Sequence, residues 1–573
     1  MIRSKIAQLL GRSAGGGAKL VVIAYDHAGH YFQELLGYTT AASVLGISLR
    51  IIAAKLVDPA IAAQLHAERA IDSLPHTWGI HPPNVVDQLV AFADEQGDLA
   101  SLWSALDDCD LGSRDMVLFP ISRPLIIVRV GAWIARRASR RRPNVFFRFT
   151  GGELIDRPTG QTNSTTALFR LACSDLNRWR GQERVFLLAD TTPLSQMMTR
   201  VCCRRAFPIS APIYHAVPAR GSSASNTSQT VYVHLNRYSG RLTAQRYEII
   251  RRVGMAEPST SFILHSRELS GEARISLESQ LASFVDLLPA EQDTAEYFAN
   301  ISRSTIVLLA YEAQAYKIST SGVFVEAAGL GKVVVAPGAT WMAEQMANGD
   351  GVGTTFSEPT ADSVVTALLQ ALRDSHRLGA LACLLALHVR HANSSERYIE
   401  RMIALSRQKP DMQLIYQLGE EVDFSDAFNS HCFMRDGWGE IEDWGVWTIR
   451  NHAELSFSFA RPRALILRAF VQAFLTARHS RIDVRVSAGR WKVARWTFRL
   501  DSEAAGKPQW RQAFIRQINR GDTVKISFSI DAPTSPLAQG ISSDQRTLGM
   551  GLRKLLFYSL NDSRAKLIDA DSS

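Results

Sequence analysis

Residues Tyr316–Gln345 read YKISTSGVFVEAAGLGKVVVAPGATWMAEQ, and this stretch decides the fold. Thr320, Ser321 and Gly322 are residues that cap a helix start. Val323, Phe324 and Ala327 give that helix an apolar face, and Gly329 and Gly331 end it. Val333, Val334 and Val335 then predict a short strand buried on both faces, as in parallel sheets. One acid, Glu326, stands in the first turn or so of this otherwise apolar helix. A carboxylate beside free backbone N–H groups suits a ligand with a sugar hydroxyl at one end and phosphates at the other.

Working outward, the same strand-then-helix rhythm recurs. Leu20–Tyr25 reads as a strand, Phe32–Leu45 as a helix and Leu49–Ala53 as a strand, which is one βαβ unit. Met116–Phe119, Asn144–Phe149 and Val185–Leu188 read as further buried strands of a first domain covering residues 1–218. A linker, ARGSSASNTSQT at Ala219–Thr230, is rich in Ser, Asn and Gly. The rhythm restarts with strands at Val231–Leu235, Ser261–His265 and Ile306–Ala310 and helices at Thr243–Val253, Asp362–Leu378 and Ser394–Arg407. Residues 231–408 are thus a second α/β domain, and the alternation predicts two doubly wound parallel sheets.

Beyond Pro410 the pattern changes to period-two alternation, at Leu455–Phe459, Ile482–Val486, Trp491–Leu500 and Thr523–Ile530. This predicts an antiparallel sandwich or jelly roll over residues 411–562, with Ser535–Leu552 in the same module.

The chain has 573 residues, enough for three or four domains at about 150 residues each. Its 46% apolar and 21% charged residues are those of a globular protein. No apolar run reaches the roughly 18 residues of a membrane-spanning helix, and the basic N-terminus lacks a signal-peptide core. The six cysteines are scattered without a C-x-x-C pair, which predicts a reducing cytoplasm, no disulfides and no zinc. A net charge of +9 points to an anionic partner.

With the quoted segment and the tandem α/β layout in view, the chain resembles the GT-B-fold glycosyltransferases of bacterial polysaccharide synthesis. Their donor motif is a Ser/Thr-Gly-x-x-x-x-Glu-Ala run followed by a Gly and a strand, matched here by Ser321-Gly322 through Glu326-Ala327. The resemblance covers residues 18–408 in layout and is specific over Tyr311–Gln345. It implies that Glu326 binds the ribose hydroxyls of a nucleotide-sugar. It further implies that the N–H groups of Ser321, Gly322 and Val323 face the diphosphate, and that Tyr316 and Lys317 lie beside the donor sugar. Many retaining members carry another glutamate eight positions before the one matching Glu326; here that position is Ile318. The nucleotide-sugar would be a substrate, so no cofactor is expected. The plainer reading of Glu326 is an acid favoured by the helix dipole alone.

Arg237 and Arg241 follow the strand Val231–Leu235, where the resembling enzymes place a basic pair. Fixed cations there would stabilise a departing nucleoside diphosphate, whereas the plainer reading is solvated loop arginines. Asp26, His27 and His30 follow the first strand, and Gly29 and Gly37 are candidates for close acceptor approach. An inverting transferase needs a base for the acceptor hydroxyl, and His27 with Asp26 is the candidate; such a loop His is also an ordinary surface residue. Arg148, Thr150, Gly151, Gly152 and Glu153 close another strand, as a hydroxyl- or phosphate-holding turn or a plain one. Asp108-Cys109-Asp110 spells a D-x-D sequence but supplies too few ligands to define a metal site.

Arg136, Arg137, Arg140, Arg141 and Arg142 follow the apolar helix Leu125–Ala135, which carries Trp133. Such a helix can lie on an anionic bilayer and meet a lipid-linked acceptor, or be a half-buried domain helix with a solvated end. That gives an expected place in the cytoplasm or peripherally at the inner membrane face. No nucleic-acid module accompanies the charge. Trp438, Trp444 and Trp447 could stack on sugar rings of a glycan, or form β-domain core. Three functions remain open: a glycosyltransferase building a surface glycan, a nucleotide-sugar epimerase of the same fold, and a non-catalytic glycan- or nucleotide-sugar-binding protein.

Overall fold

The computed structural model describes residues 18–71 apart from 25–29, 55–56 and 58; 100–176 apart from 152–154, 157–160 and 163–164; 181–212; 229–235; 241–265; 285–289; 294–408; and 414–560 apart from 415, 426–429, 431, 460–462, 502–506 and 519–522. It divides into two compact units, Met1–Gln196 with Ala206–Pro410 and Met197–Arg205 with Asp411–Ser573.

The first unit holds two parallel sheets. One contains β1 (Lys19–Ala24), β2 (Ser48–Ala54), β3 (Glu68–Ile71), β4 (Met116–Phe119), β5 (Asn144–Phe149), β6 (Val185–Ala189) and β7 (Ala206–Pro208) in the order 3-2-1-4-5-6-7. The other contains β8 (Thr230–His234), β9 (Ser261–His265), β10 (Val285–Leu288), β11 (Ile306–Leu309), β12 (Val333–Pro337) and β13 (Gly353–Phe356) in the order 10-9-8-11-12-13. Every neighbouring pair is parallel. Counted from its own first strand, each sheet repeats the doubly wound order 3-2-1-4-5-6, with a switch point between strands one and four. The apolar runs explain the parallel pairing: β4, β5, β6, β11 and β12 are buried at every residue, so helices must cover both faces.

Helices α1 (His30–Leu45), α2 (Pro59–Gln64), α3 (Ala100–Asp107), α4 (Pro124–Arg136), α5 (Thr165–Leu176) and α6 (Thr192–Cys202) belong to the first half of the chain. Helices α7 (Arg241–Ala256), α8 (Thr294–Arg303), α9 (Gly322–Gly329), α10 (Trp341–Asn348), α11 (Ala361–Arg373), α12 (Ser375–Ala392) and α13 (Ser395–Gln408) follow. Asp362–Leu378, expected as one helix, is two. At Asp374 the backbone leaves the helix (φ −88°, ψ 5°), and its N–H closes α11 on Gln370 and Leu372 before α12 starts.

The second unit is antiparallel throughout. Its strands are β14 (Val422–Asp423), β15 (Trp438–Glu442), β16 (Gly445–Thr448), β17 (His452–Ser458), β18 (Arg463–Ala473), β19 (Arg481–Ala488), β20 (Trp491–Arg499), β21 (Gln509–Ile518), β22 (Thr523–Ile530) and β23 (Met550–Ser559). One sheet runs β15-β16-β23-β18-β21 with β14 on β23, and the other β17-β22-β19-β20. Alternate residues of both sheets, Leu467, Phe557, Val484 and Phe528 among them, fill one core. Trp438 belongs to that core at 8% exposure, while Trp444 and Trp447 are half-buried and lie 4.8 Å apart.

Candidate functional site

The quoted stretch folds as its residues dictate. Ser321 is the N-cap of α9, its Oγ accepting from the Phe324 N–H at 3.2 Å. That leaves the Gly322 and Val323 N–H groups at the helix tip without a partner among the described residues. At the other end Gly331 takes φ +71°, Lys332 N–H donates to Ala327 O and Gly331 N–H to Ala328 O, the two hydrogen bonds of a Schellman stop. The Arg390 Nε, from α12, donates to the freed Gly329 carbonyl at 2.6 Å, a cation at the negative end of the helix.

Glu326 stands in the second turn of α9 and is half-buried. Its Oε2 accepts from the Tyr297 hydroxyl of α8 at 2.5 Å. Burial raises its carboxyl to about 7, against the lowering effect of that hydrogen bond. The same burial, with the Glu326 charge second, pushes the Tyr297 phenol well up. Tyr232 is shifted upward by the same two causes, and its buried hydroxyl has no partner among the described residues. Tyr311 OH and His234 Nδ1 are 2.8 Å apart. His234 ends β8 and Tyr311 lies just past β11, so this pair sits at the switch point of the second sheet, where doubly wound folds hold ligands. Tyr316 is buried and stacked on Tyr311 at 4.7 Å, whereas Lys317 is exposed.

Just before the α9 tip, the chain touches the first α/β half. Thr191 Oγ1, at the start of α6, donates to Ile318 O at 2.6 Å and accepts from Leu194 N–H at 3.1 Å. Gly151 has φ +96°, and a Cβ there would lie 2.7 Å from Ser319 Oγ. Ser319 is 1% exposed, with no hydrogen-bond partner for its hydroxyl among the described residues. The tip of α9 therefore stands at the junction of the two halves.

The first half closes the carboxyl ends of β5 and β6 with buried charge. Arg148 Nε and Nη2 grip Asp190 at 2.6 and 2.9 Å, and Nη1 reaches Glu34 of α1 at 2.6 Å. Tyr38 OH donates to the same Glu34 oxygen at 2.6 Å, and the Tyr398 ring of α13 lies 6.0 Å from the guanidinium. Burial opposes the Arg148 charge, but the carboxylates of Asp190 and Glu34 override it and hold the guanidinium well above its usual range. Arg148 closes its strand as expected, and its side chain is taken up inside the domain. Its Nε, Nη1 and Nη2 each donate to a buried carboxylate, which is why a strand reading NVFFRF tolerates an arginine at an inward position.

Asp26, His27, Gly29, Gly152, Glu153 and Arg237 lie outside the described residues, as do the side chains of His30 and Arg241, which open α1 and α7. Asp108 and Asp110 are exposed, and among the described residues no cluster of three or more His, Cys, Asp or Glu could hold a metal. The apolar residues of α4 are turned into the domain: Leu125, Ile126, Ile127, Val130, Trp133 and Ile134 are buried. Trp133 Nε1 donates to Asp107 at 2.9 Å, and Arg137 pairs with the same carboxylate. Arg136 lies 4.5 Å over Trp103 and is still exposed, as are Arg140 and Arg141, whereas Arg137 and Arg142 are half-buried. Among the described residues no helix is long and apolar enough to cross a membrane.

No protein-family model matches the chain, and no curated protein matches it in sequence. Solved structures do resemble it. A glycosyltransferase from Rickettsia africae is 10% identical, with 68% of this chain and 98% of that one covered at a TM-score of 0.45. The pneumococcal O-GlcNAc transferase, solved with UDP and GlcNAc, is 10% identical over 68% of this chain and 99% of its own, at 0.46. The UDP-GlcNAc 2-epimerase of Neisseria meningitidis, bound to UDP-GlcNAc, is 13% identical over 68% and 99%, at 0.38. Both transferases and an epimerase appear, so these likenesses do not choose a chemistry; the site has to.

Proposed function

We propose that the chain is a glycosyltransferase that takes a sugar from a nucleotide-sugar and passes it to a glycan or lipid-linked glycan. The observation carrying this reading is Glu326 behind a helix tip with free Gly322 and Val323 N–H groups, at the junction of the two α/β halves. One Glu326 oxygen is taken by Tyr297, and the other is left for ribose hydroxyls. The bare amides and the positive helix end suit the diphosphate. Lys317, exposed beside the tip, suits the donor sugar or its phosphate. Arg241 and Arg237 would neutralise the departing nucleoside diphosphate, and His27 with Asp26 would take the acceptor proton. Ile318 in place of a second acid supports a route that does not use paired carboxylates.

Calorimetric titration with UDP, ADP, GDP and dTDP tests the donor site. At least one should bind, and Glu326→Ala should weaken it about tenfold to a hundredfold, the loss for a hydrogen bond to a charged group. Unchanged affinity in that variant would overturn the assignment. Turnover of the corresponding nucleotide-sugars, read as transfer, hydrolysis or epimer formation, separates the transferase from an epimerase and from a protein that binds without turnover.

A further inference from the structure

The β unit carries a surface that neither its core nor the α/β site uses. Along β18 the buried residues Leu465, Leu467, Ala469 and Val471 alternate with Ile466, Arg468, Phe470 and Gln472, which point outward. On the neighbouring edge strand β21, Ala513 and Ile515 turn in, and Trp510, Gln512, Phe514 and Arg516 turn out. The register sets Phe470 opposite Trp510, Arg468 opposite Gln512 and Ile466 opposite Phe514. The Phe470 and Trp510 rings are 5.0 Å apart, and the Arg468 guanidinium lies 4.9 Å over Trp510. Trp510 and Phe514 remain 40% and 42% exposed. The Arg468 Nε is shielded from solvent without a hydrogen-bond partner among the described residues. No outward position described on these two strands is acidic, whereas Arg468 and Arg516 are both basic.

We propose that this face is a platform for an anionic glycan chain. A sugar ring offers an apolar C–H face to Trp510 and Phe514. Its rim hydroxyls and acidic substituents meet Gln512 and the planar donor forks of Arg468 and Arg516. Size favours this occupant over a protein. Trp510 to Phe514 spans about 14 Å of strand, across two strands about 5 Å apart. A stable protein partner covers about 800 Å² per side. Charged residues also interrupt the apolar surface here, whereas the centre of a protein interface is depleted of them. The platform stands without the nucleotide-sugar reading, because none of its residues belongs to the donor site.

The test is calorimetric titration of the full chain with hexagalacturonate, a heparin hexasaccharide and neutral maltohexaose. At least one anionic probe should bind more tightly than maltohexaose. Trp510→Ala should weaken it by at least about tenfold, the cost of losing an aromatic anchor. Trp510→Phe should keep part of the affinity, and Arg516→Gln should flatten its salt dependence. Matching melting curves would show that the variants fold, and Glu326→Ala should bind the glycan like the wild type. Failure of both anionic probes to bind, or unchanged affinity in Trp510→Ala, would overturn the proposal. So would a dimer in sedimentation that Trp510→Ala dissolves, which would assign the face to a second copy. Equal binding of maltohexaose, insensitive to Arg516→Gln, would overturn the anionic part.

Discussion

The two α/β halves share one strand order and use its carboxyl edge in opposite ways. In the first half, an arginine and two carboxylates close that edge where β5 and β6 end, all of them buried and mutually bonded. In the second, the half-buried carboxylate of Glu326 faces a tyrosine, and burial has left it on the border between charged and neutral. A sealed ion cluster fixes geometry; an acid held near 7, with one oxygen unpaired among the described residues, is equipped to exchange partners. The same topology thus yields a scaffold on one side and a candidate ligand site on the other.

The largest effect should come from breaking the sealed side. Arg148→Met leaves Glu34 and Asp190 buried without their cation, and should cost about 3–5 kcal/mol in denaturant unfolding. Glu326→Gln should cost nothing comparable. If both substitutions destabilise alike, the contrast between the halves fails.

Next comes pH. Because the folded Glu326 carboxyl is raised, its neutral form favours folding. That contribution is present below the ordinary carboxyl range and is lost as pH rises through about 7. Glu326→Gln should therefore gain stability relative to wild type at pH 8 and show no gain at pH 4. Nucleotide affinity should run the other way, rising with pH through about 7 as the accepting carboxylate forms, and Glu326→Gln should lose that dependence. A pH-independent wild type would count against Glu326 as the ribose contact.

Tyr297→Phe is a subtler probe. It removes the hydrogen bond that lowers the Glu326 value, so the midpoint of the affinity profile should move upward with folding intact. The smallest effect is expected at the exposed Arg140 and Arg141. Changing both to Ser should weaken only salt-sensitive attachment to anionic vesicles, because the apolar side of α4 is already spent on the domain core.

Much of this was legible in the sequence. Met116–Phe119, Asn144–Phe149 and Ser261–His265 were readable as strands to the residue, because a short apolar run between turn signals has few other fates. The α9 cap and its glycine stop were readable for the same local reason. The break at Asp374 was not, since neither Pro nor Gly marks it; an Asp followed by Ser was its signal. Tyr297, His234 and Tyr311 were missed as neighbours of the site. A tyrosine on a domain helix looks like core, and its bond to Glu326 spans 29 residues that no spacing rule connects. The carboxylate partners of Arg148 were not legible, because a charged residue closing a strand looks alike whether solvent or carboxylates await it.

The bond from Thr191 to the Ile318 carbonyl, with Ser319 seated against Gly151, has a mechanical meaning. It ties the two α/β halves together beside the tip of α9. Both contacts lie within four residues of the α9 tip, so a change at either is felt where the helix begins. A side chain at 151 would meet Ser319 at once, on a backbone whose φ of +96° already disfavours it, and would push the two halves apart at this corner.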